Sequence, residues 1–144
     1  MKNWSRTMSD CIFCKIVEKE IPSTIVFEDA DVLAFMDIGP IVKGHALVIP
    51  KQHHDPVTET PDEVLAKLFL TAKKIAKAQM NAFGAQGVNI MQNNGRAAGQ
   101  EVEHIHVHVI PRFEEDGHHW NWNPKRYDDF DEMAKLADQL REQL

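Results

Sequence analysis

The stretch HIHVHVIP, residues 104–111, decides how this sequence is understood. Histidine alternates with branched apolar residues, which is the composition and the period of a β-strand. Because alternate side chains of a strand point to one face, we expect three imidazoles on one face and Ile105, Val107 and Val109 on the other. Histidine titrates near neutral pH and is costly to bury unpaired, so three in a row indicate a functional site.

Three interpretations of this histidine row remain open from the residues alone. The imidazoles bind a catalytic metal, as in zinc enzymes that take two histidines two residues apart on a strand. One imidazole is instead a nucleophile whose neighbours handle protons, or all three are structural histidines with satisfied hydrogen bonds. The preceding loop 93–100, NNGRAAGQ, carries amide donors and glycines that suit an anion such as phosphate. It lacks the G-x-x-x-x-G-K-[ST] pattern of a P-loop.

Length and charge narrow the class of protein. A chain of 144 residues with 43% hydrophobic residues fits one domain with a real core. The net charge of −6 argues against nucleic acid as a partner, because such binders carry a basic face. No apolar run approaches the roughly 20 residues of a membrane span, and residues 1–10 lack the apolar core of a signal peptide. We therefore expect a cytoplasmic protein without a membrane partner, and a flexible extension at 1–10.

Hydrophobic patterning predicts an α+β domain. Short strands are expected at 23–27, 32–36, 45–49, 87–92 and in the histidine stretch, after a short helix at 11–19. A long helix should begin at Thr60, whose side chain would cap it with Glu63, and end at Gly84. A last helix is expected at 128–144. Antiparallel-type strands around one long helix predict an antiparallel sheet of about five strands.

The sequence resembles the histidine triad (HIT) family of nucleotide hydrolases and transferases. The family signature is His-φ-His-φ-His-φ-φ, with φ apolar, and it matches the stretch at 104–110. Further segments follow in the family's order: CIFCKI at 11–16, FMDI at 35–38, GHALVIPK at 44–51 and QNNG at 92–95. The resemblance implies a HIT domain over 11–112 and a C-terminal extension over 113–144 whose helix packs on the domain. It also implies a homodimer with the sheets extended across the interface.

The resemblance implies catalytic and phosphate-binding roles. His106 would attack the α-phosphorus of a nucleotide and form a covalent intermediate that water cleaves. His108 would bind the phosphate and help to move the proton of the leaving group, and His45 would complete the cluster. Asn93, Gly99 and Gln100 would hold phosphate oxygens.

Nucleoside-binding roles follow in the same way. Asp37 resembles the acidic residue that binds the ribose hydroxyls. Apolar residues would line the base pocket, namely Phe13, Ile16, Ile21, Phe35 and Ile38. The substrate would be an AMP-containing nucleotide, of the adenosine 5′-phosphoramidate type.

A structural zinc site is also implied, as in some bacterial HIT proteins. Cys11 and Cys14 have C-x-x-C spacing, which in a reducing compartment suggests a metal or redox pair. With His53 and His104 they would make a Cys₂His₂ tetrahedron, whose four protein ligands make it structural. His54 is a rival for the His53 position, and two free thiols are the alternative to zinc. No cofactor is expected for the catalysis itself.

The sequence departs from the best-known eukaryotic members at two positions. Glu101 stands where they place Ser or Thr beside the phosphate, and Glu103 where they often place an apolar or aromatic residue. A carboxylate near a phosphate is repelled unless it turns away or is protonated, so the leaving group stays open. Hydrolysis of dinucleoside polyphosphates, a nucleotide-binding scaffold with residual hydrolysis and a metallohydrolase using the three histidines are the alternatives.

Overall fold

One antiparallel sheet and three helices make up the computed structural model, which describes residues 10–144. The sheet has five strands in the order β1-β2-β3-β5-β4, with every adjacent pair antiparallel. The strands are β1 (Ile25–Glu28), β2 (Val32–Met36), β3 (Ala46–Pro50), β4 (Gly87–Met91) and β5 (Val107–Arg112). The helices are α1 (Ile12–Val17), α2 (Asp62–Phe83) and α3 (Phe130–Glu142). The expected fold class is confirmed.

The two faces of the sheet bury different apolar clusters. One cluster joins α2 to the inward positions of β2, β3 and β5, including Val48, Val107 and Val109. The other cluster joins Phe13 and Ile16 of α1 to the alternate positions of β2 and β3. His108 pairs with Leu47, which belongs to the α1-side cluster. The strand period therefore places His108 on the α1 face while its apolar neighbours fill the α2 face.

The histidine stretch is not a strand along its whole length. Strand β5 begins at Val107, so His104 and His106 precede it. The Ile105 N–H donates to the His54 carbonyl at 2.8 Å, not to a sheet neighbour, and Ile105 is fully buried. The prediction of one strand through all three histidines is wrong for His104 and His106, because the chain joins the sheet only at Val107.

Helix α2 begins differently from the prediction and ends as predicted. Pro61 occupies the N-cap position, and the Thr60 hydroxyl donates to the Pro56 carbonyl at 2.8 Å instead of capping the helix. At the other end Gly84 has the left-handed conformation, with φ at 67°, and its N–H donates to the Met80 carbonyl. The expected capping box is therefore wrong, and the expected C-terminal glycine is confirmed.

The C-terminal extension contacts the outer strand β4 at Asn89. The Arg112 guanidinium contacts the Asp116 carboxylate at 2.8 Å and the Asn89 side-chain oxygen at 2.7 Å. Trp120 also donates to that Asn89 oxygen, at 2.9 Å. Beyond it, α3 has no buried residue within the single chain, although the sequence predicts that it packs on the domain. Its exposed apolar residues are Phe130, Met133, Leu136 and Leu140.

Two further points concern the extremities and the membrane. The predicted extension at 1–10 lies outside the described residues, apart from Asp10. Among residues 10–144, no helix combines the length and the apolar character that crossing a bilayer requires.

Candidate active site

Three imidazoles form a cluster on the α1 face. The His106 and His108 ring centroids are 5.0 Å apart, and those of His45 and His108 are 5.1 Å apart. His45 enters immediately before β3, where its N–H donates to the Val42 carbonyl across a turn. Phe13 of α1 packs its ring edge-on against His106, with centroids 5.1 Å apart. The predicted catalytic residues His45, His106 and His108 are thus brought together.

A backbone carbonyl fixes the protonation of His106. Its Nδ1 lies 2.7 Å from the His104 carbonyl oxygen, which can only accept, so Nδ1 carries the proton. In the neutral ring, Nε2 is then left with its lone pair. The buried side-chain atoms without a partner among the described residues are His54 Nε2, Gln79 Oε1 and His118 Nε2. His106 Nε2 also forms no hydrogen bond within residues 10–144, but it is not among these buried atoms. It is therefore in contact with solvent.

His45 and His108 share a short hydrogen bond. His45 Nε2 and His108 Nδ1 are 2.9 Å apart, and the Ile41 N–H donates to His45 Nδ1 at 3.1 Å. The Asp37 carboxylate lies beside this pair, with Oδ2 3.6 Å from His45 Nε2. Its other oxygen accepts the Gly39 N–H at 2.8 Å. Asp37, expected to bind ribose, therefore stands next to the histidines in a turn.

Burial keeps these imidazoles neutral. Burial lowers the pKa of His45. It also lowers the pKa of His106, although the hydrogen bond to His104 and the charges of Asp55 and Asp37 act in the opposite direction. Burial first, and then the neighbouring His106 and His45, lowers the pKa of His108 to about 4. A buried cation loses its hydration without regaining it from a partner. Neutral rings are what a nucleophile and its hydrogen-bonding neighbours require at pH 7.

The loop before the histidines is held by Gln100. The Gln100 side-chain oxygen accepts the Gly95 N–H at 2.7 Å, and its amide donates to Asp55 at 2.8 Å and to the Val102 carbonyl at 2.9 Å. The Gln100 amide thus bonds to Gly95 and Val102 of its own segment and to Asp55 of a distant one. Gly99 has a positive φ of 90°, and a Cβ built there would lie 4.0 Å from the Asn93 side-chain nitrogen. Asn93 and Gly99 are therefore close enough to bind the same anion.

The predicted base-pocket residues divide into two groups. Phe13, Ile16 and Phe35 are buried together on the α1 face, and Ile21 packs against them. Ile38 is fully exposed, so the structure does not bring it into this cluster. The geometry leaves the assignment of a base pocket as a prediction.

Sequence reasoning missed contacts that have no local signal. The Ile41 N–H orients His45, and Asp55 receives the Gln100 amide. Asn94, next to the predicted Asn93, accepts the Val57 N–H at 2.8 Å. The contacts of Asp55 and Asn94 join loops distant in the chain, and the Ile41 contact lies within one turn, but no spacing rule marks any of the three.

A second cluster contains the four predicted metal ligands. Cys11, Cys14, His53 and His104 offer ligand atoms that all lie within 4.8 Å of one another. His104 Nδ1 is 3.4 Å from Cys11 Sγ and 3.6 Å from Cys14 Sγ. His53 Nδ1 is 3.4 Å from Cys14 Sγ. Zinc bond lengths at a tetrahedral angle require about 3.6 Å between sulfur and nitrogen, so these residues fit zinc.

The surroundings of this cluster also suit a cation. His104 donates its Nε2–H to the Pro50 carbonyl at 2.9 Å, which turns the Nδ1 lone pair toward the sulfurs. Burial, the hydrogen bond to Cys11 and the nearby charges raise the pKa of the Cys14 thiol to about 12. A bound cation reverses that trend, because it stabilises the thiolate. His53, not its rival His54, faces the cysteines.

Comparison with known proteins identifies the family. The model of the HIT domain matches residues 18–115. The chain belongs to the HIT family. It is 40% identical to adenosine 5′-monophosphoramidase HNT1 of Candida albicans, over 94% of this chain and 92% of that protein. It is 44% identical to adenosine 5′-monophosphoramidase HNT1 of Saccharomyces cerevisiae, over 93% of this chain and 82% of that protein.

Solved structures of HIT proteins share its fold. A Streptococcus mutans protein superposes with a TM-score of 0.88 at 44% identity, covering 97% of this chain and 88% of its own. A zinc-bound histidine triad protein of Mycobacterium smegmatis superposes with a TM-score of 0.76 at 36% identity, covering 96% of this chain and 100% of that protein. The HIT architecture thus extends over nearly the whole chain.

The depressed pKa of His108 predicts a loss of stability in acid. Between about pH 6.5 and pH 4, His108 is protonated in the unfolded chain and neutral in the folded chain. The contribution of His108 to the free energy of unfolding should therefore fall as the pH decreases through this window. Urea unfolding of the wild type and of His108→Gln from pH 7.5 to pH 4 measures this change. The free energy of unfolding of the variant should decrease less than that of the wild type. Equal losses in both proteins would contradict the account.

Proposed function

We propose that this HIT-family chain hydrolyses a nucleoside 5′-phosphoryl compound at its α-phosphorus through a nucleotidyl intermediate on His106. The substrate would be of the adenosine 5′-phosphoramidate type. The observation that carries the proposal is the 2.7 Å hydrogen bond from His106 Nδ1 to the His104 carbonyl. It leaves an unprotonated ring nitrogen that contacts solvent beside two further imidazoles, and a loop with anion-binding geometry.

The enzyme class follows from the relatives. The chain is a HIT-family hydrolase, because its relatives in two yeasts carry the name adenosine 5′-monophosphoramidase at 40% and 44% identity over most of the chain. Their name supports an AMP amidate as the substrate of this chain. The acidic residues Glu101 and Glu103 are both exposed, so neither carboxylate is fixed in the cluster of imidazoles.

The proposed reaction has two displacements at phosphorus. His106 Nε2 forms a bond to the α-phosphorus, and the bond to the leaving group breaks with its electron pair. Water then attacks the phosphorus and releases His106 and the nucleoside monophosphate. Dividing one hard displacement into two easier ones is the gain of covalent catalysis. A neutral imidazole with a fixed tautomer meets the requirement for the first step.

The other groups would hold the substrate. His108 would contact a phosphoryl oxygen together with Asn93 and the Gly99 backbone, because these donors lie at the start of β5 and in the loop preceding it. Asp37 would bind the ribose hydroxyls with the carboxylate oxygen that the Gly39 N–H does not occupy. Phe13, Ile16, Ile21 and Phe35 would face the base. Donors fixed in advance stabilise charge as it develops in the transition state.

A substrate panel tests this function. We expect kcat/KM to be larger for adenosine 5′-phosphoramidate and AMP–lysine than for diadenosine polyphosphates. His106→Ala should reduce turnover by at least about 10⁴-fold, because the nucleophile is lost. His119→Ala is the matched control, since this exposed histidine lies outside the cluster. Preference for diadenosine compounds would favour the polyphosphatase alternative. Absence of turnover with every nucleotide would favour the scaffold, and undiminished turnover by His106→Ala would refute the nucleophile.

The second cluster would hold a structural zinc ion. Cys11, Cys14, His53 and His104 would be its ligands, and four protein ligands leave no open position for substrate. The zinc-bound relative from Mycobacterium smegmatis supports this proposal. Zinc would tie α1 and the turn at His53 to the histidine segment. It takes no part in the chemistry, because His106 and His108 are not among the ligands.

Metal removal tests the zinc site. The purified protein should contain about one zinc ion per chain by elemental analysis, and chelation should lower the melting temperature, because bound metal stabilises only the folded state. Cys14→Ser should lose the ion, while His54→Ala should retain it. Loss of metal in His54→Ala but not in Cys14→Ser, or a protein that binds no zinc when supplied with it, would contradict the assignment.

A homodimer would extend the sheet at β4. This strand lies at the end of the strand order, and its Ile90 is 42% exposed. Helix α2 leads into β4 and leaves Phe69, Met80 and Phe83 about half exposed. Unpaired strand edges and clustered apolar side chains are the features of a self-complementary interface.

Sedimentation measures the proposed dimer. The wild type should sediment with the mass of two chains, and Ile90→Asp should shift it toward one chain, since a charge would then lie in the interface. Ile12→Asp, at an exposed apolar residue of α1, should keep the wild-type mass. A wild type with the mass of one chain would refute the dimer.

A further inference from the structure

A buried amide on α2 reaches the two strands that end beside His45 and His108. The Gln79 side chain is only 3% exposed, although most of the α2 residues that pack on the sheet are apolar. Its Nε2 lies 3.0 Å from the Gly44 carbonyl oxygen and 2.9 Å from the Val109 carbonyl oxygen. A carbonyl oxygen can only accept a hydrogen bond, so both contacts require the NH₂ half of the amide. One side chain of the helix therefore bonds to the backbone of both segments.

The position of Gly44 explains why a side-chain donor is needed there. Ala46 of β3 lies opposite Val109 of β5, so the same register two residues further places Gly44 opposite Pro111. The two residues are in close contact, because a Cβ added to Gly44 would lie 3.1 Å from Pro111 Cγ. Proline has no N–H, so it cannot donate to the Gly44 carbonyl as another strand residue could. The Gln79 amide supplies the donor that the sheet lacks at this point.

The other half of the Gln79 amide has no partner. Its Oε1 is one of the buried side-chain atoms without a hydrogen bond among residues 10–144. A buried acceptor without a partner costs free energy, so an apolar side chain would be more stable here if packing were its only role. The two hydrogen bonds of Nε2 are what distinguish glutamine from an apolar residue of similar size. A glutamine at this position is therefore explained by its donors and not by core packing.

The two carbonyls lie next to the clustered imidazoles in the chain. Gly44 immediately precedes His45, and Val109 immediately follows His108. The rings of these histidines meet across the same two segments, with His45 Nε2 2.9 Å from His108 Nδ1. Gln79 thus holds the backbone from the α2 side at the place where the two rings meet on the α1 side. A shift of the turn before β3 relative to β5 would change the distance between the rings.

We propose that Gln79 is a positioning residue, which holds the start of β3 against β5 so that the His45 and His108 rings keep their contact. It acts through the two backbone carbonyls that it bonds. Phe83, one turn further along α2, supports the same turn, because a Cβ on Gly44 would lie 2.8 Å from its Cε2 atom. The proposal rests on the function proposed above, which gives these two imidazoles their roles at the phosphoryl group.

Gln79→Met tests the role, because methionine has a similar length and volume but no amide hydrogen. We expect kcat for adenosine 5′-phosphoramidate to fall about 10–100-fold with KM near its wild-type value, since a misplacement of about 1 Å costs up to about 10²-fold. Thr71→Val is the matched control. Thr71 is also 3% exposed on α2, and its hydroxyl donates to the Lys67 carbonyl of the same helix. This control should keep the wild-type kcat even if its melting temperature falls. An unchanged kcat in Gln79→Met, or an equal loss in Thr71→Val, would overturn the proposal.

A double variant separates positioning from general damage to the fold. If Gln79 acts by placing the His108 ring, its substitution should have little further effect on the single-turnover rate of a His108→Ala protein, which has no ring to place. Two independent effects would instead multiply in the double variant. Multiplied losses would overturn the proposal.

The contact between the rings is also measurable without turnover. Two-dimensional ¹H–¹⁵N spectra of the histidine rings should show the proton that His45 and His108 share, shifted downfield by its short hydrogen bond. This signal should move upfield or be lost to solvent exchange in Gln79→Met, and it should be unchanged in Thr71→Val. A signal unchanged in Gln79→Met would overturn the proposal.

The wild-type protein gives a measurement that does not depend on any variant folding. Both side-chain NH₂ protons of Gln79 should exchange slowly with solvent, because each is buried and bonded to a carbonyl. Rapid exchange of these protons would overturn the assignment. Failure of the proposed function has a different signature, a wild type that turns over no nucleotide while the histidine and glutamine signals behave as expected.

Discussion

The active site depends on one hydrogen bond between neighbours in the chain. His106 Nδ1 lies 2.7 Å from the carbonyl of His104, two residues earlier. Residues 104–106 precede β5, so the His104 carbonyl is turned toward the His106 ring and not toward a neighbouring strand. The contact fixes the orientation of the imidazole and places its lone pair on Nε2. Without it, the ring would choose freely between tautomers.

The same residue serves two clusters with different atoms. The carbonyl of His104 accepts from the His106 ring, the proposed nucleophile, and the His104 ring faces Cys11 and Cys14 while donating to Pro50. Its side chain is fully buried, so it cannot move in one cluster without moving in the other. The cluster of cysteines and histidines and the cluster of three imidazoles are thus joined through one residue, His104.

The sequence predicted which chemically active side chains lie together better than it predicted the loop contacts around them. The period of two placed Val107, Val109 and His108 on the correct faces, because Val107 and Val109 belong to the α2-side cluster. The C-x-x-C spacing and the resemblance brought the four metal-type ligands together correctly. The Thr60 cap failed because its hydroxyl found a carbonyl at Pro56, a competition between hydrogen bonds that spacing does not reveal. The contact of Gln100 with Asp55 was equally hidden, since loop contacts between distant segments have no pattern in a single sequence.

The stereochemical course at phosphorus tests the central claim, a free His106 Nε2 that attacks the substrate, most directly. An adenosine phosphoramidate made chiral at its α-phosphorus with sulfur, and hydrolysed in ¹⁸O-labelled water, reports the number of displacements. Each in-line displacement inverts the phosphorus, so two steps through His106 predict overall retention. Overall inversion would show that water attacks the substrate in one step, and the nucleophile assigned here would be wrong.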